Sequence, residues 1–237
     1  MKVRVAQCWD DGVYTDLRVM EVLRKYGAKA TFNLCPGVMP EERVLPSWNT
    51  DARNTSGHLG FLAGQMCLRD ICGVYRDFQV ASHGWMHDAV GYGPTDEECV
   101  AAAVKARDYL ENALQRPCRG YAWPMGTYNE NAMRLMHEAG FAYGRTTKNV
   151  EDVTAYEDSM ALHTNCHFLA RDFINRYERA KKTGVFYVWG HSYEMLDSDN
   201  LLHQFELKIK YITEDPDSEW VDVIDLVQKQ LSDCSGL

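Results

Sequence analysis

Two adjacent carboxylates, Asp10 and Asp11, stand in the segment QCWDDGVYTD, where an apolar run ends and Gly12 follows. Like charges side by side at the exit of a buried strand need a reason. A turn supplies one, with Asp accepting backbone N–H bonds and Gly taking a positive φ; catalysis by a carboxylate pair supplies another. A second chemically capable segment is HGWMH. Its His83 and His87 are spaced i, i+4, which puts two imidazoles on one face if the strand runs into a helical turn, as two ligands of one metal require. Histidines so spaced also occur as ordinary core or surface residues. His191, in WGHS, ends a third apolar run and taken alone reads as a hydrogen-bonded core histidine.

These residues need elements to hold them, and the chain alternates strand and helix patterns. VRVAQC (3–8), AKATFNLC (28–35), FQVAS (78–82), RGYAW (119–123), FAYGRT (141–146), SMALHT (159–164) and VFYVWG (185–190) read as strands. Between them, helical patterns cover 15–27, 95–115, 129–140 and 167–184, with another near 198–214. Thr15 is placed to cap the first and Gly27 to end it; Thr95 and Glu98 form a capping-box pattern for the second. Residues 65–77 have a weaker helical pattern, and 220–231 read as a final strand, turn and helix. From Pro36 to Gly64 the Pro, Gly, Asn and Ser punctuation suggests an insertion over one face. Strands alternating with helices imply a parallel sheet, and about seven such units suit a barrel better than an open sheet, in one domain spanning 1–237.

In such a barrel the loops at the C-terminal ends of the strands form the site. Asp10 and Asp11, His83 and His87, PMG (124–126) and His191 each follow a different strand, so four strand exits deliver chemistry to one end.

Composition narrows the function. The net charge is −9, which disfavours nucleic acid and anionic membrane as partners, and no run approaches the ~20 apolar residues of a membrane span. The first residues enter a strand at once, which implies a cytoplasmic protein. The eight cysteines are scattered without a C-x-x-C pair, so they read as reduced thiols, and Asn54-Thr55-Ser56 is a formal glycosylation sequon without a secretory context.

The ordered set of motifs resembles the polysaccharide deacetylase family, the NodB-homology carbohydrate esterases, over roughly residues 3–195. CWDDG is similar to the family's T-F-D-D-G turn, with Trp9 for Phe; HGWMH to H-S/T-x-x-H, with Gly84 for Ser or Thr; AWPMG in part to R-x-P-Y-G; and FYVWGHS to its late strand ending in His. A D-x-x-W-like fourth motif is absent. The resemblance implies a distorted (β/α) barrel with a divalent metal held by Asp11, His83 and His87, zinc first, with Co2+, Ni2+ or Fe2+ as alternatives. It implies Asp10 as general base, His191 as general acid, and the backbone N–H of Met125 as an oxyanion donor. That would reconcile the two carboxylates: a dication neutralises one and leaves the other basic.

The family's arginine before the Tyr position is Ala122 here. Arg119 and Arg145 are the candidates to replace it, and Arg145, at the exit of the next strand, is the stronger. Tyr128 and His167 are candidate substrate contacts, Trp123 and Trp189 candidate stacking surfaces; core packing for the aromatics and a helix-start role for His167 are the plainer readings. The function implied is removal of an acetyl group from an N-acetylated sugar or small oligosaccharide. The alternatives are hydrolysis of another small amide, such as a cyclic imide or ureide, and metal-bearing sugar binding without catalysis.

Overall fold

The computed structural model describes residues 2–49 and 60–227. In chain order it contains β1 (Val3–Asp11), α1 (Asp16–Tyr26), β2 (Thr31–Leu34), a short hairpin of β3 (Ser47–Trp48) and β4 (Phe61–Leu62), α2 (Asp70–Val74), β5 (Gln79–Ser82), α3 (Asp96–Leu114) and β6 (Gly120–Ala122). Then come α4 (Glu130–Glu138), β7 (Tyr143–Asn149), β8 (Leu162–Thr164), β9 (Cys166–His167), α5 (Phe173–Ala180), β10 (Val185–Gly190), α6 (Asp199–Glu214) and β11 (Ser218–Trp220).

Apart from the β3–β4 hairpin, the strands join one parallel sheet in the order β8-β7-β6-β5-β2-β1-β10-β9. β1 is long enough to take two partners on one flank, β11 against Val3–Val5 and β2 against Cys8–Asp11. The two outer strands, β8 and β9, are separated in the chain only by Asn165, so the sheet curls round and nearly closes into a barrel. Counted with β8 and β9 as one broken stave, the ring has the expected seven.

Asn165 is the seam. Its backbone N–H donates to Tyr187 O (2.7 Å) and its Oδ1 accepts from Tyr187 N (2.7 Å). Its Nδ2 donates to Val150 O (3.2 Å) and Glu151 O (2.9 Å) beyond β7. One amide side chain therefore ties the two sides of the ring where regular pairing lapses.

Alternation along the strands sorts side chains between the barrel interior and the helical layer. On β1, Ala6 and Cys8 cluster with Tyr143 and Tyr187 inside, while Val5 and Trp9 join the outer core. Trp9, the departure from the family's Phe, meets Phe168 and Phe205 with ring centroids 5.0 and 5.1 Å away. Asp10 thus inherits the inward face, as does Arg145 two residues after Tyr143.

Several expected boundaries shift. Thr15 precedes α1 but forms no side-chain cap; its hydroxyl bonds Ser192 Oγ at 2.8 Å. Gly27 does end the helix, in the left-handed region at φ 61°. The Thr95–Glu98 capping box is formed. Residues 65–77 are helical only over α2. The expected helix over 167–184 begins at Phe173, because Cys166 and His167 pair with β10 instead. At the end of the chain, β11 is followed by a helical stretch at 223–227. The rest of that expected helix, the sequon at 54–56, part of the insertion and Cys234 lie outside the described residues. The seven described cysteines are free, and all but Cys72 are buried. Among the described residues no helix is long and apolar enough to cross a membrane.

Replacing Asn165 with Leu strands the Tyr187 N–H and two carbonyls. We expect a loss of about 2–4 kcal/mol, read as a lower denaturant midpoint at unchanged slope.

Candidate metal centre and active site

The exits of β1, β5, β6, β7 and β10 ring a cavity of about 930 Å3 that contains Asp10, Asp11, His83, His87, Met125, Arg145 and His191 in its lining. Asp10 and Asp11, although adjacent, face different surroundings. Asp10 is 2% exposed; its Oδ1 accepts from Asn33 Nδ2 at 2.6 Å and its Oδ2 from Arg145 at 2.6 Å. Burial alone would raise its pKa, but the charges of Arg145, His83 and His191, with the Asn33 bond, outweigh it and hold the carboxyl well below its usual range. Asp11 ends β1 in the left-handed region at φ 81°, leaves the pleat and turns to the mouth.

There its Oδ1 lies 3.6 Å from His83 Nε2 and 3.9 Å from His87 Nε2. The expected helical turn between the histidines is not formed. Gly84 at φ 79° and His87 at φ 62° bend the loop instead, and Asp88 Oδ2 accepts the N–H groups of Trp85 (3.1 Å) and Met86 (2.9 Å). A Cβ at residue 84 would sit 3.0 Å from Asp88 N in that strained region, which explains glycine where the family motif has Ser or Thr. The bend still brings the two rings to 4.8 Å.

Two clusters of ligand-type atoms exist among the described residues, one of Asp11, His83 and His87, the other of His167, His191 and Glu194. Tautomers separate them. His83 Nδ1 is 2.8 Å from Ala122 O, an acceptor, so its proton sits on Nδ1 and Nε2 is free to ligate. Burial also lowers the His83 pKa to about 4, against the pull of Asp10 and Asp11, which keeps the ring neutral. The Asp11 cluster therefore fits a divalent metal in donor set, tautomer and spacing. In the other cluster the N–H of Leu169 donates to His167 Nδ1 (3.2 Å), so His167 Nε2 carries a proton and gives it to Glu194 Oε2 at 2.8 Å. That is a hydrogen-bonded carboxylate, not a ligand set.

Glu194 Oε2 also accepts the backbone N–H of His191 (3.0 Å) and lies 3.3 Å from its Nδ1. The last contact is not aligned as a hydrogen bond, and we treat it as ionic. Burial opposes ionisation of Glu194, but His167 and His191 prevail and lower its pKa to about 2. Burial also opposes the charged form of His191; Glu194, Asp10 and Asp11 outweigh it and raise the pKa. His191 Nε2 faces Asp10 Oδ2 at 3.7 Å, and its ring stacks on Tyr193 at 4.8 Å.

The remaining sequence candidates fall in different places. Met125 lines the cavity at φ 57° in the turn after β6, and Trp123 and Trp189 line it too. Trp189 also lies under the Arg145 guanidinium, 5.5 Å from its carbon. Arg119 lies away from the pair, bonding Gly140 O. Tyr128 lines a separate cavity of about 450 Å3 and packs beside Trp123. His167 stands behind Glu194 rather than in the cavity lining, and it belongs to β9, not to a helix start. Sequence reasoning missed Asn33, Glu194 and Tyr193. Asn33 carried a signal as the polar residue inside TFNLC; Glu194 carried one as the third residue after His191.

The family model for polysaccharide deacetylase matches residues 2–144. No curated protein matches the chain. Among solved structures it is similar to the Xyl-CE4 domain of a multidomain xylanase from the hindgut metagenome of Trinervitermes trinervoides, with TM-score 0.57 and 14% identity over 97% of this chain and 92% of that one. It is also similar to a family 4 acetyl xylan esterase from Clostridium thermocellum in complex with a cobalt ion, with TM-score 0.56 and 13% identity over 94% and 89%. A Streptococcus pyogenes deacetylase, PplD, in complex with acetate matches with TM-score 0.45 and 20% identity over 60% of this chain, and the matched part spans 55% of that protein's length.

Because the Glu194 pKa is depressed in the fold, its contribution is present above the unfolded value near 4.3 and lost as pH falls through about 2. Glu194→Gln should cost on the order of 2–3 kcal/mol at pH 6, a gap that closes between pH 4 and pH 2 in denaturant titrations.

Proposed function

The chain belongs to the polysaccharide deacetylase family, and on that premise we propose that it is a metal-dependent amidohydrolase that removes the acetyl group from an N-acetylated sugar or short oligosaccharide. The observation that carries this reading is the juxtaposition of the Asp11–His83–His87 cluster with the buried Asp10–Arg145 pair and with His191.

Asp11, His83 and His87 would hold the metal, with zinc the first choice and Co2+, Ni2+ or Fe2+ the alternatives. A cation held there would supply Lewis-acid polarisation of the amide carbonyl and lower the pKa of water toward neutral. Asp10 accepts a proton from the attacking water. Arg145 and Asn33 fix its two oxygens and keep it anionic, which orients the acceptor while lowering its basicity. His191, whose Nε2 stands 3.7 Å from Asp10 Oδ2, carries a proton there and delivers it to the departing nitrogen, so that the amine leaves neutral. Its raised pKa suits a group that must be charged before the step and rechargeable after it. Glu194, held by His167, supports the charged ring from behind. The Met125 N–H, at the cavity wall, stands as the donor for the oxyanion, a role worth about 3 kcal/mol of barrier where measured elsewhere.

Arg145 removes the main objection raised by the altered third motif: the guanidinium reaches the base from β7 rather than from β6. That supports catalysis over a binding-only role.

Asp10→Asn should abolish acetate release from N-acetylglucosamine oligomers while metal content after dialysis stays near wild type. His83→Ala or His87→Ala should lose the metal in the same elemental analysis. Loss of metal on Asp10→Asn with retention on His87→Ala would overturn the assignment of ligands.

A further inference from the structure

The insertion after β2 does more than decorate the barrel. Its outgoing limb is tied to the metal loop, where Gly37 N donates to Trp85 O (2.9 Å) and a Cβ at residue 37 would sit 2.5 Å from that same oxygen. Its returning limb is laced to the Asp-Asp-Gly turn, where Met66 N donates to Gly12 O (3.4 Å). Between them Val44 and Gln65 exchange two backbone bonds of 3.0 and 2.8 Å, and Arg43 grips Asp70 with two bonds of 2.7 Å. The hairpin is therefore braced at its base on three elements.

Its far side is fastened too. Trp48 Nε1 donates to Asp197 Oδ2 at 2.8 Å, and Trp48 packs on Phe61 at 5.3 Å. Asp197 follows β10, whereas the insertion follows β2, and β1 lies between those strands in the sheet. The Trp48–Asp197 bond is thus a strap that ties the insertion to the loop after β10, on the two sides of β1, from whose exit Asp10 and Asp11 project. Below the strap, Phe61, Leu62, Ala63 and Gly64 give the cavity an apolar wall ending at Gln65, whose Oε1 has no hydrogen-bond partner among the described residues. The opposite edge, at the β6 and β7 exits, is bounded by Met125 and Thr147 and has no comparable strap among the described residues.

We propose that this strapped wall makes the site accept the end of a short chain, so that the protein deacetylates a terminal N-acetyl sugar unit and not units inside a polymer. The inference rests on the deacetylase reading above and specifies its substrate. A polymer held by an internal unit has to enter the mouth on one side and leave on the other. A chain entering from the β6–β7 side meets Phe61 and Leu62, held in place through Trp48 and its bond to Asp197, before it can pass, so only an end unit brings its amide to Asp10 and His191. A cavity of about 930 Å3 is in the range that buries a ligand of one or two sugar units. Gln65 Oε1 is an acceptor for a hydroxyl of that terminal unit.

The test uses the metal-loaded full chain with the N-acetylglucosamine dimer and pentamer, and locates the first free amine in the pentamer by tandem mass spectrometry. We expect terminal deacetylation only, with kcat/KM per molecule within threefold between dimer and pentamer. Trp48→Ala and Asp197→Ala each remove an exposed side chain from the strap, and we expect internal free amines to appear in both variants, at tenfold or more above wild type. Internal amines formed by the wild type at rates comparable to terminal ones would overturn the inference and leave the deacetylase reading standing. Terminal selectivity unchanged in both variants would overturn the assignment to the strap. No acetate from either substrate would overturn the deacetylase reading, and this inference with it.

Discussion

The ion pair between Asp10 and Arg145 is the constraint around which the mouth of the barrel is organised. Both side chains are almost fully buried, 2.6 Å apart, and each offsets the cost of burying the other's charge. The guanidinium leaves Nε and one terminal nitrogen without partners among the described residues and rests against Trp189, so the pair is the dominant compensation for its burial. This arrangement fixes which way Asp10 points and hence which way Asp11 cannot. With Asp10 committed to the interior, Asp11 has to take a left-handed conformation and face the mouth. Two like charges become neighbours in sequence but not in environment.

How much of this could be read from the chain depends on how local each cause is. Strand exits were legible because apolar runs with period two are local, and the convergence of Asp10, His83 and His191 follows from strand exits alone. Arg145 was legible for the same reason: it stands two residues after inward Tyr143. The loop between His83 and His87 was not, because its shape comes from Gly84 at positive φ and from Asp88 collecting two N–H groups, neither of which leaves a periodic trace. His167 was misread as a helix start since β9 is two residues long and its only signature is pairing with a strand almost twenty residues later. Tyr128, a candidate substrate contact from the sequence, lines the separate cavity and packs beside Trp123, a placement set by the turn at 124–126 and not by any periodic pattern.

The molecule divides its labour between a regular ring and an irregular wall. The ring supplies groups whose positions are set by strand register: Asp10, Asn33, Arg145, His191. The wall, built by the insertion and the loops, supplies shape. Loops positioned by a rigid scaffold commonly carry specificity in this way. Two histidine clusters lie close together at this mouth, and hydrogen-bond direction alone distinguishes the one that can bind a cation from the one that braces a carboxylate. A single backbone N–H, that of Leu169, makes the difference.

The dual flank of β1 has a consequence for how the protein comes into being. β1 finds its neighbours at 31–34, 185–190 and 218–220. The nearest of these follows soon after β1 during translation, but the edge that pairs with 185–190 stays bare until those residues have emerged. Contacts of such long sequence separation slow the search for the native state and prolong exposure of unpaired backbone to other nascent chains. A strand made well before two of its three partners is thus among the last to be secured.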